Sequence, residues 1–155
     1  MNADLYRDVL SHWAASVTVL AVRDGDRVYG TTATSFTPVS ADPPTIVVSL
    51  GPNAQVRPFL DEGSTLVVNL LDQSQARLSE VYADPFPVGP SPFSREGPPR
   101  VEDALGYLVC SVVETVDVDG GARLVVGRVV DADVRDDREP LLWYRRATAR
   151  LASGE

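Results

Sequence analysis

The residues best suited to chemistry in this chain are the small hydroxyl side chains between Gly30 and Leu50, where the sequence reads GTTATSFTPVSADPPTIVVSL. Thr31, Thr32, Thr34 and Ser35 crowd the end of one expected strand, and the Pro43-Pro44 pair introduces the next. A strand end of this kind exposes backbone N–H groups and hydroxyls together, which suits a ligand rich in hydrogen-bond acceptors. The same residue types are common at strand edges, and Asp42-Pro43-Pro44 reads as a turn in many unrelated β proteins, so the pattern implies binding without naming a reaction.

Side chains for covalent or metal chemistry are scarce. The one cysteine, Cys110, excludes an intramolecular disulfide and any multi-cysteine zinc or iron–sulfur site. Its neighbours Leu108, Val109, Val112 and Val113 mark it as a strand residue packed as a small hydrophobe. The one histidine, His12, leaves a Ser-His-Asp triad or a histidine-rich metal site little to stand on. No metal centre is expected, and no residue is assigned a catalytic role.

The elements that must position the hydroxyl run follow from periodicity. Leu5, Val9 and Trp13 mark a short amphipathic helix whose apolar stripe is expected to lie against the rest of the fold, with His12 off the stripe, exposed and within reach of Asp8. Val17 to Val22 reads as a strand, and Asp24-Gly25 is a hairpin signal leading into Arg27 to Thr32. Ile46 to Leu50 and Thr65 to Leu70 are apolar enough for strands buried on both faces, and Gln73 to Tyr82 is helical with Leu78 and Tyr82 on one face. Leu105 to Val116, the Asp119-Gly120-Gly121 turn, Leu124 to Val134 and Leu141 to Tyr144 complete a mainly β, mostly antiparallel barrel with a few short helices.

Pro85 to Arg100 holds six of the twelve prolines, which rules out a helix or a central strand there. Two readings stand side by side: a lid or wall of a pocket, and a connector stiffened to limit unfolded-state entropy. The last residues, Ala152 to Glu155, are expected to fray.

With 155 residues, 44% hydrophobic and 23% charged, the chain suits one domain over residues 1–155. A formal charge of -8 argues against a general attraction to nucleic acid or anionic membrane, so an anionic ligand must be held by local donors. The start, MNADLYRDVL, has no basic segment followed by an apolar run, no stretch approaches a membrane span, and the cytoplasm is the default location.

Seven blocks in a fixed order carry a resemblance. They are Ser16-Val17-Thr18-Val19, Gly30-Thr31-Thr32-Ala33-Thr34-Ser35-Phe36, Ser40-Ala41-Asp42-Pro43-Pro44, Val68-Asn69-Leu70, Ala104-Leu105-Gly106-Tyr107-Leu108-Val109-Cys110, Val126-Gly127-Arg128-Val129 and Pro140-Leu141-Leu142-Trp143-Tyr144-Arg145. Together they cover the chain from about residue 5 to residue 150, and the chain resembles the flavin reductase family, whose fold is an FMN-binding split barrel.

The resemblance implies FMN or FAD as flavin and NADH or NADPH as reductant. It implies a homodimer with flavin sites at the subunit interface and a monooxygenase partner that receives the reduced flavin. Hydride transfer from nicotinamide to flavin is cofactor chemistry that needs stacked rings more than an acid or base. By position, Thr32, Ala33, Thr34 and Ser35 would border the flavin, and Ser49, Leu50, Gly51, Asn53, Ala54 and Gln55 would run beside its ribityl chain and phosphate. Phe86 stands where relatives often have an aromatic residue near the ring, and the Trp143-Tyr144-Arg145-Arg146 ending would place Tyr144 and Arg145 in the nicotinamide region. Asn69 reads as structural, satisfying a neighbouring backbone group.

Two departures from the family pattern matter. Where relatives grip the phosphate with a hydroxyl residue, a basic residue and a threonine, this chain has Ala54-Gln55-Val56. Each lost charged hydrogen bond costs on the order of 1–3 kcal/mol, leaving Asn53, Gln55, Arg57 and backbone N–H groups as substitutes. Where many relatives carry an acidic residue and a histidine near the nicotinamide, this chain has Gly121-Ala122-Arg123. An NAD(P)H-dependent flavin reductase is therefore the leading expectation, and a redeployed barrel that binds flavin or another small organic ligand without turnover is the alternative.

Overall fold

A computed structural model describes residues 1–152. In chain order the elements are α1 (Ala3–Ser11), β1 (Ala15–Ser16), β2 (Thr18–Asp24), β3 (Arg27–Ala33), β4 (Thr37–Ala41), β5 (Pro44–Leu50) and β6 (Thr65–Leu70). They continue through α2 (Ala76–Ala83), β7 (Gly106–Asp117), β8 (Arg123–Val134), β9 (Leu142–Tyr144) and β10 (Ala147–Ala149). The expectation that Ala152 to Glu155 fray falls, beyond Ala152, outside the described residues.

Seven strands form one antiparallel sheet in the order β3-β2-β6-β7-β8-β5-β4, and β1, β9 and β10 form a small second sheet. The large sheet curls without closing by hydrogen bonds, since β3 and β4 are its two ends. A side chain links the chain across that split. Ser35, between β3 and β4, donates its hydroxyl to the Ser49 carbonyl at 2.7 Å and accepts from the Ser49 N–H at 3.2 Å.

The curl divides the apolar residues into two cores. Leu20, Val22, Val48, Leu66, Val68 and Val125 fill the inside of the barrel, with Cys110 among them. Val17, Val19, Ala21, Leu71, Phe93 and Leu141 form a second core on the outer face of β2, which α2 joins through Leu78 and Tyr82. β2 and β6 are thus nearly continuous runs of buried residues, as strands covered on both faces must be.

Several expectations change. β5 was expected to be buried on both faces, but it alternates: Ile46, Val48 and Leu50 are buried and Thr45, Val47 and Ser49 only half-buried, because its second face looks outward. β4 had no expectation attached to it: Thr37–Ala41 carries no apolar alternation, is wholly exposed, and forms a strand because its backbone pairs with β5. β4 carries a bulge at Val39, and the β7–β8 ladder skips Val113 and Val130; each of these valines is exposed. A bulge leaves one residue unpaired and turns it off the ladder, which accounts for the apolar exposure at those three positions.

The helix α1 forms where periodicity placed it, capped by the Asn2 side chain accepting from the Asp4 N–H at 2.8 Å. Its stripe does not lie against the barrel. Leu5, Val9 and Trp13 are 57%, 63% and 73% exposed, and α1 has no buried residue. The helix meets the body at its C-terminal end, where the Arg145 N–H donates to the Ser11 carbonyl at 2.7 Å. Periodicity reveals that a face is apolar and leaves open which surface covers it.

Candidate functional site

Three hollows lie side by side along β3. The first, about 600 Å³, is lined by Thr32, Ala33, Thr34, Ser79, Trp143 and Arg146 among others. The second, about 460 Å³, is built on Thr31 and the Gly51–Gln55 loop that follows β5. It shares Ala83 with the first. The third, about 1000 Å³, shares Gln55, Tyr82 and Pro85 with the second and runs between the β2–β3 hairpin and the proline-rich loop. Successive residues of one strand thereby line three neighbouring hollows.

Close packing keeps those hollows open. The Thr32 hydroxyl donates to the Ser79 carbonyl at 2.7 Å and ties α2 to β3. Gly30 admits the Tyr82 ring, and Tyr82 meets Phe93 edge-on with centroids 5.3 Å apart. Burial pushes the Tyr82 phenol above its usual range, so it stays a neutral wall of the hollows. The proline-rich loop is pinned from beneath: Asn69 accepts from the Val101 N–H at 2.8 Å and donates to the Val19 and Pro99 carbonyls. Arg23 adds bonds to the Ser94 and Gly97 carbonyls at 2.6 and 2.8 Å. The loop is both of the things the sequence allowed, a stiff connector and the wall of a hollow.

The sequence-derived candidates separate. Thr32, Ala33 and Thr34 meet in the first hollow; Gly51, Asn53, Ala54 and Gln55 meet in the second. The Leu50 side chain is buried in the barrel core, and the Ser35 hydroxyl is spent on Ser49, so only main-chain atoms of Leu50 remain to face a ligand. Phe86, 80% exposed, lines the third hollow and not the one that holds Thr32 to Thr34.

At the C-terminal hairpin the alternation of β9 decides which residues face the first hollow. Trp143 lines the first hollow, while Tyr144 points toward α1 and meets His12 edge-on at 6.4 Å. Arg145 and Arg146 form the tight turn to β10, both with left-handed backbones at φ 51° and 62°. Such a turn ordinarily takes Asn or Gly. The two arginines instead grip the helix: Arg146 bridges to Asp8 at 2.9 Å, and Arg145 approaches His12 Nε2 at 3.3 Å. The expected His12–Asp8 pairing is with the Asp8 main-chain carbonyl, 2.9 Å from Nδ1, because the carboxylate is taken by Arg146.

Of the substitute phosphate donors, Asn53 and Gln55 line the second hollow, whereas Arg57 and the other arginines nearby are committed to protein partners. Arg57 donates to the Gly121 carbonyl at 2.5 Å and to the Leu50 carbonyl at 3.5 Å, and lies 3.8 Å from Asp117, joining the end of β5 to the β7–β8 turn. Arg123 binds Asp117 at 2.7 Å and holds that carboxyl below its ordinary range. Arg100 pairs with Asp131 and stacks over Tyr107. Thr31 lines the second hollow, and its Oγ1 is buried beneath the surface with no hydrogen-bond partner. The signal for Thr31 was the strict alternation along β3, which sends Thr31 and Thr32 to opposite sides. The Gly51–Gln55 loop, with its main-chain groups and the Asn53 and Gln55 amides, fits an acceptor-rich ligand such as a flavin. No group of three or more metal-ligating side chains occurs among the described residues.

The chain is thus an antiparallel split barrel with hydroxyls, amides and one tryptophan lining hollows along an end strand. The family described as "Flavin reductase like domain" matches residues 10–152, and the chain belongs to that family. The reductase component of 4-hydroxyphenylacetate 3-monooxygenase from Thermus thermophilus is 31% identical over 148 residues, 96% of each chain. An NADH-dependent flavin reductase from a Rhodococcus species is 35% identical over 143 residues, 89% of this chain and 80% of that one. Among solved structures, flavin reductase PheA2 in its native state superimposes with a TM-score of 0.88 at 31% identity, covering 99% of this chain and 100% of that one.

Proposed function

We propose that the chain is an NAD(P)H:flavin oxidoreductase that supplies reduced flavin to a partner monooxygenase. The observation that carries this reading is the end-to-end similarity to oxygenase reductase components, with the hydroxyl-rich end of β3 opening into a hollow beside Trp143. A flavin in these hollows supplies the hydride acceptor. The chain's own residues have simpler tasks. The Gly51–Gln55 loop holds polar edges, Trp143 offers a flat face, and Tyr82 with the proline-rich loop shields one side from water.

A homodimer working in the cytoplasm is part of the proposal. What supports a second copy is the apolar stripe of α1, exposed at Leu5, Val9 and Trp13 in the single chain. Sedimentation of the purified protein tests it, and a monomer at micromolar concentration would sink it.

The activity is tested by following NADH and NADPH oxidation with added FMN, FAD or riboflavin against a protein-free control. Turnover well above the control is expected, together with its loss when Thr34→Trp fills the first hollow. No turnover with any pair would point to a barrel that keeps the hollows without the redox reaction.

A further inference from the structure

Among the described residues, Arg145 and Arg146 are the only neighbouring pair of non-glycine residues with left-handed backbones. Tyr144 pairs with Ala147, so the two arginines are the whole of the β9–β10 turn. A Cβ disfavours that conformation, and strain of this kind persists where the surroundings over-determine it. Here the surroundings are the C-terminal end of α1. Arg146 bridges to the Asp8 carboxylate at 2.9 Å, the Arg145 N–H donates to the Ser11 carbonyl at 2.7 Å, and the Arg145 guanidinium lies 3.3 Å from His12 Nε2. His12 Nδ1 is 2.9 Å from the Asp8 main-chain carbonyl, which can only accept, so Nδ1 carries the ring hydrogen and Nε2 is left as the acceptor that Arg145 needs. The same turn forms the rim of the first hollow, which Trp143, Arg146, Ala147 and Thr148 line and no residue of α1 does. The helix therefore reaches the hollow through Arg145 and Arg146.

We propose that Asp8 and His12 are positioning residues for the first hollow: by gripping Arg146 and Arg145 they hold the strained turn, and so fix the Trp143 ring and the Arg146 guanidinium at the hollow's rim. Neither touches a ligand. As an ion pair, Asp8 and Arg146 add little to stability, since their side chains are 69% and 61% exposed. Their effect is on shape, because the grip falls on a turn of two residues that would otherwise relax toward ordinary backbone angles. A glycine at position 146 would hold the left-handed conformation with no grip at all, at the loss of the guanidinium. The sensitivity of the hollow to Asp8 should therefore vanish once Arg146 is replaced by glycine. The kinetic consequence rests on the flavin reductase reading given above, whereas the placement of Trp143 can be read without any flavin.

The test starts from Trp13→Phe, in which Trp143 is the one remaining tryptophan of the two. Acrylamide quenching of Trp143, the kcat and KM for flavin, and the urea midpoint are measured on this parent and on variants made in it. Asp8→Ala/His12→Ala is expected to raise the quenching constant about twofold and the flavin KM about threefold or more, with kcat within about twofold and the urea midpoint nearly unchanged. Asp8→Glu, which keeps a carboxylate for Arg146, should leave the quenching of Trp143 near that of the parent. Adding Asp8→Ala to Arg146→Gly should change neither quenching nor KM, since Asp8 acts through Arg146. Unchanged quenching in Asp8→Ala/His12→Ala overturns the proposal, as does a further effect of Asp8→Ala in the Arg146→Gly protein. A drop in urea midpoint that accounts for the rise in KM would make the effect one of general stability and overturn it too. Absence of turnover in the parent with any flavin would overturn the reductase reading instead, and the quenching of Trp143 would still decide the positioning role.

Discussion

Gly30 lies directly beneath the ring of Tyr82: a Cβ added at Gly30 would stand 2.7 Å from Tyr82 Cδ1 and 3.0 Å from Phe93 Cζ. The missing side chain of one strand residue thus sets how closely α2 and the proline-rich loop approach the barrel, and so the shape of the hollows. Gly30→Ala is expected to cost about 1–3 kcal/mol of stability through overpacking. Because Tyr82 walls two of the three hollows, flavin affinity should fall as well. Urea unfolding and a binding titration check both effects; an alanine tolerated in both would show that Tyr82 is free to move aside.

From a fully buried position Asn69 ties the end of the proline-rich loop, at Pro99 and Val101, to the Val19 carbonyl of β2 with three hydrogen bonds. Asn69→Ala leaves the Val101 N–H without its acceptor, a loss of about 2 kcal/mol or more. Limited proteolysis should then cut between Pro85 and Arg100 faster than in the unaltered protein. Unchanged cleavage would mean that Arg23 alone secures the loop.

Asp72 opens the turn Gln73–Gln75 before α2, accepting from the Ser74 hydroxyl at 2.5 Å and the Ser74 N–H at 2.8 Å. The hydroxyl bond lowers its carboxyl below the ordinary 3.8, against the opposing cost of burial. A carboxyl lowered by folding adds stability above its unfolded value, and that stability is lost as pH falls through the folded value. Asp72→Ala should cost about 1 kcal/mol at neutral pH. The gap should narrow below pH 3.8, as seen by unfolding at pH 7 and pH 3. A gap independent of pH would remove the carboxylate from the explanation.

Cys110, paired with Val129 in the β7–β8 ladder, sets its Cβ 2.9 Å from the place a Cβ would take on the neighbouring Gly127, and burial pushes its thiol up to about 11. The thiolate is the reactive form. Iodoacetamide at pH 8 is therefore expected to leave the native protein unmodified and to label it fully in denaturant, by mass spectrometry. Rapid native labelling would show that the barrel opens at β7.

By itself the sequence determined the local elements, because each rests on short-range rules: continuous apolar runs for β2 and β6, β-branched segments flanking a glycine turn for β7 and β8, and a fourfold apolar spacing in α1. It also marked Cys110 and Asn69 as structural and gathered the hydroxyls of β3. It could not show β4, whose five exposed residues carry no apolar pattern and are held only by a partner strand. Nor could it choose between neighbours. That Thr32 serves α2 while Thr31 is left unpaired, that Trp143 lines a hollow and Tyr144 meets the helix, and that Arg57 joins the Leu50 and Gly121 carbonyls depend on contacts between distant residues. A side chain's chemistry is written in its type, but the partner it meets is set by how the sheet curls, and that is decided only in three dimensions.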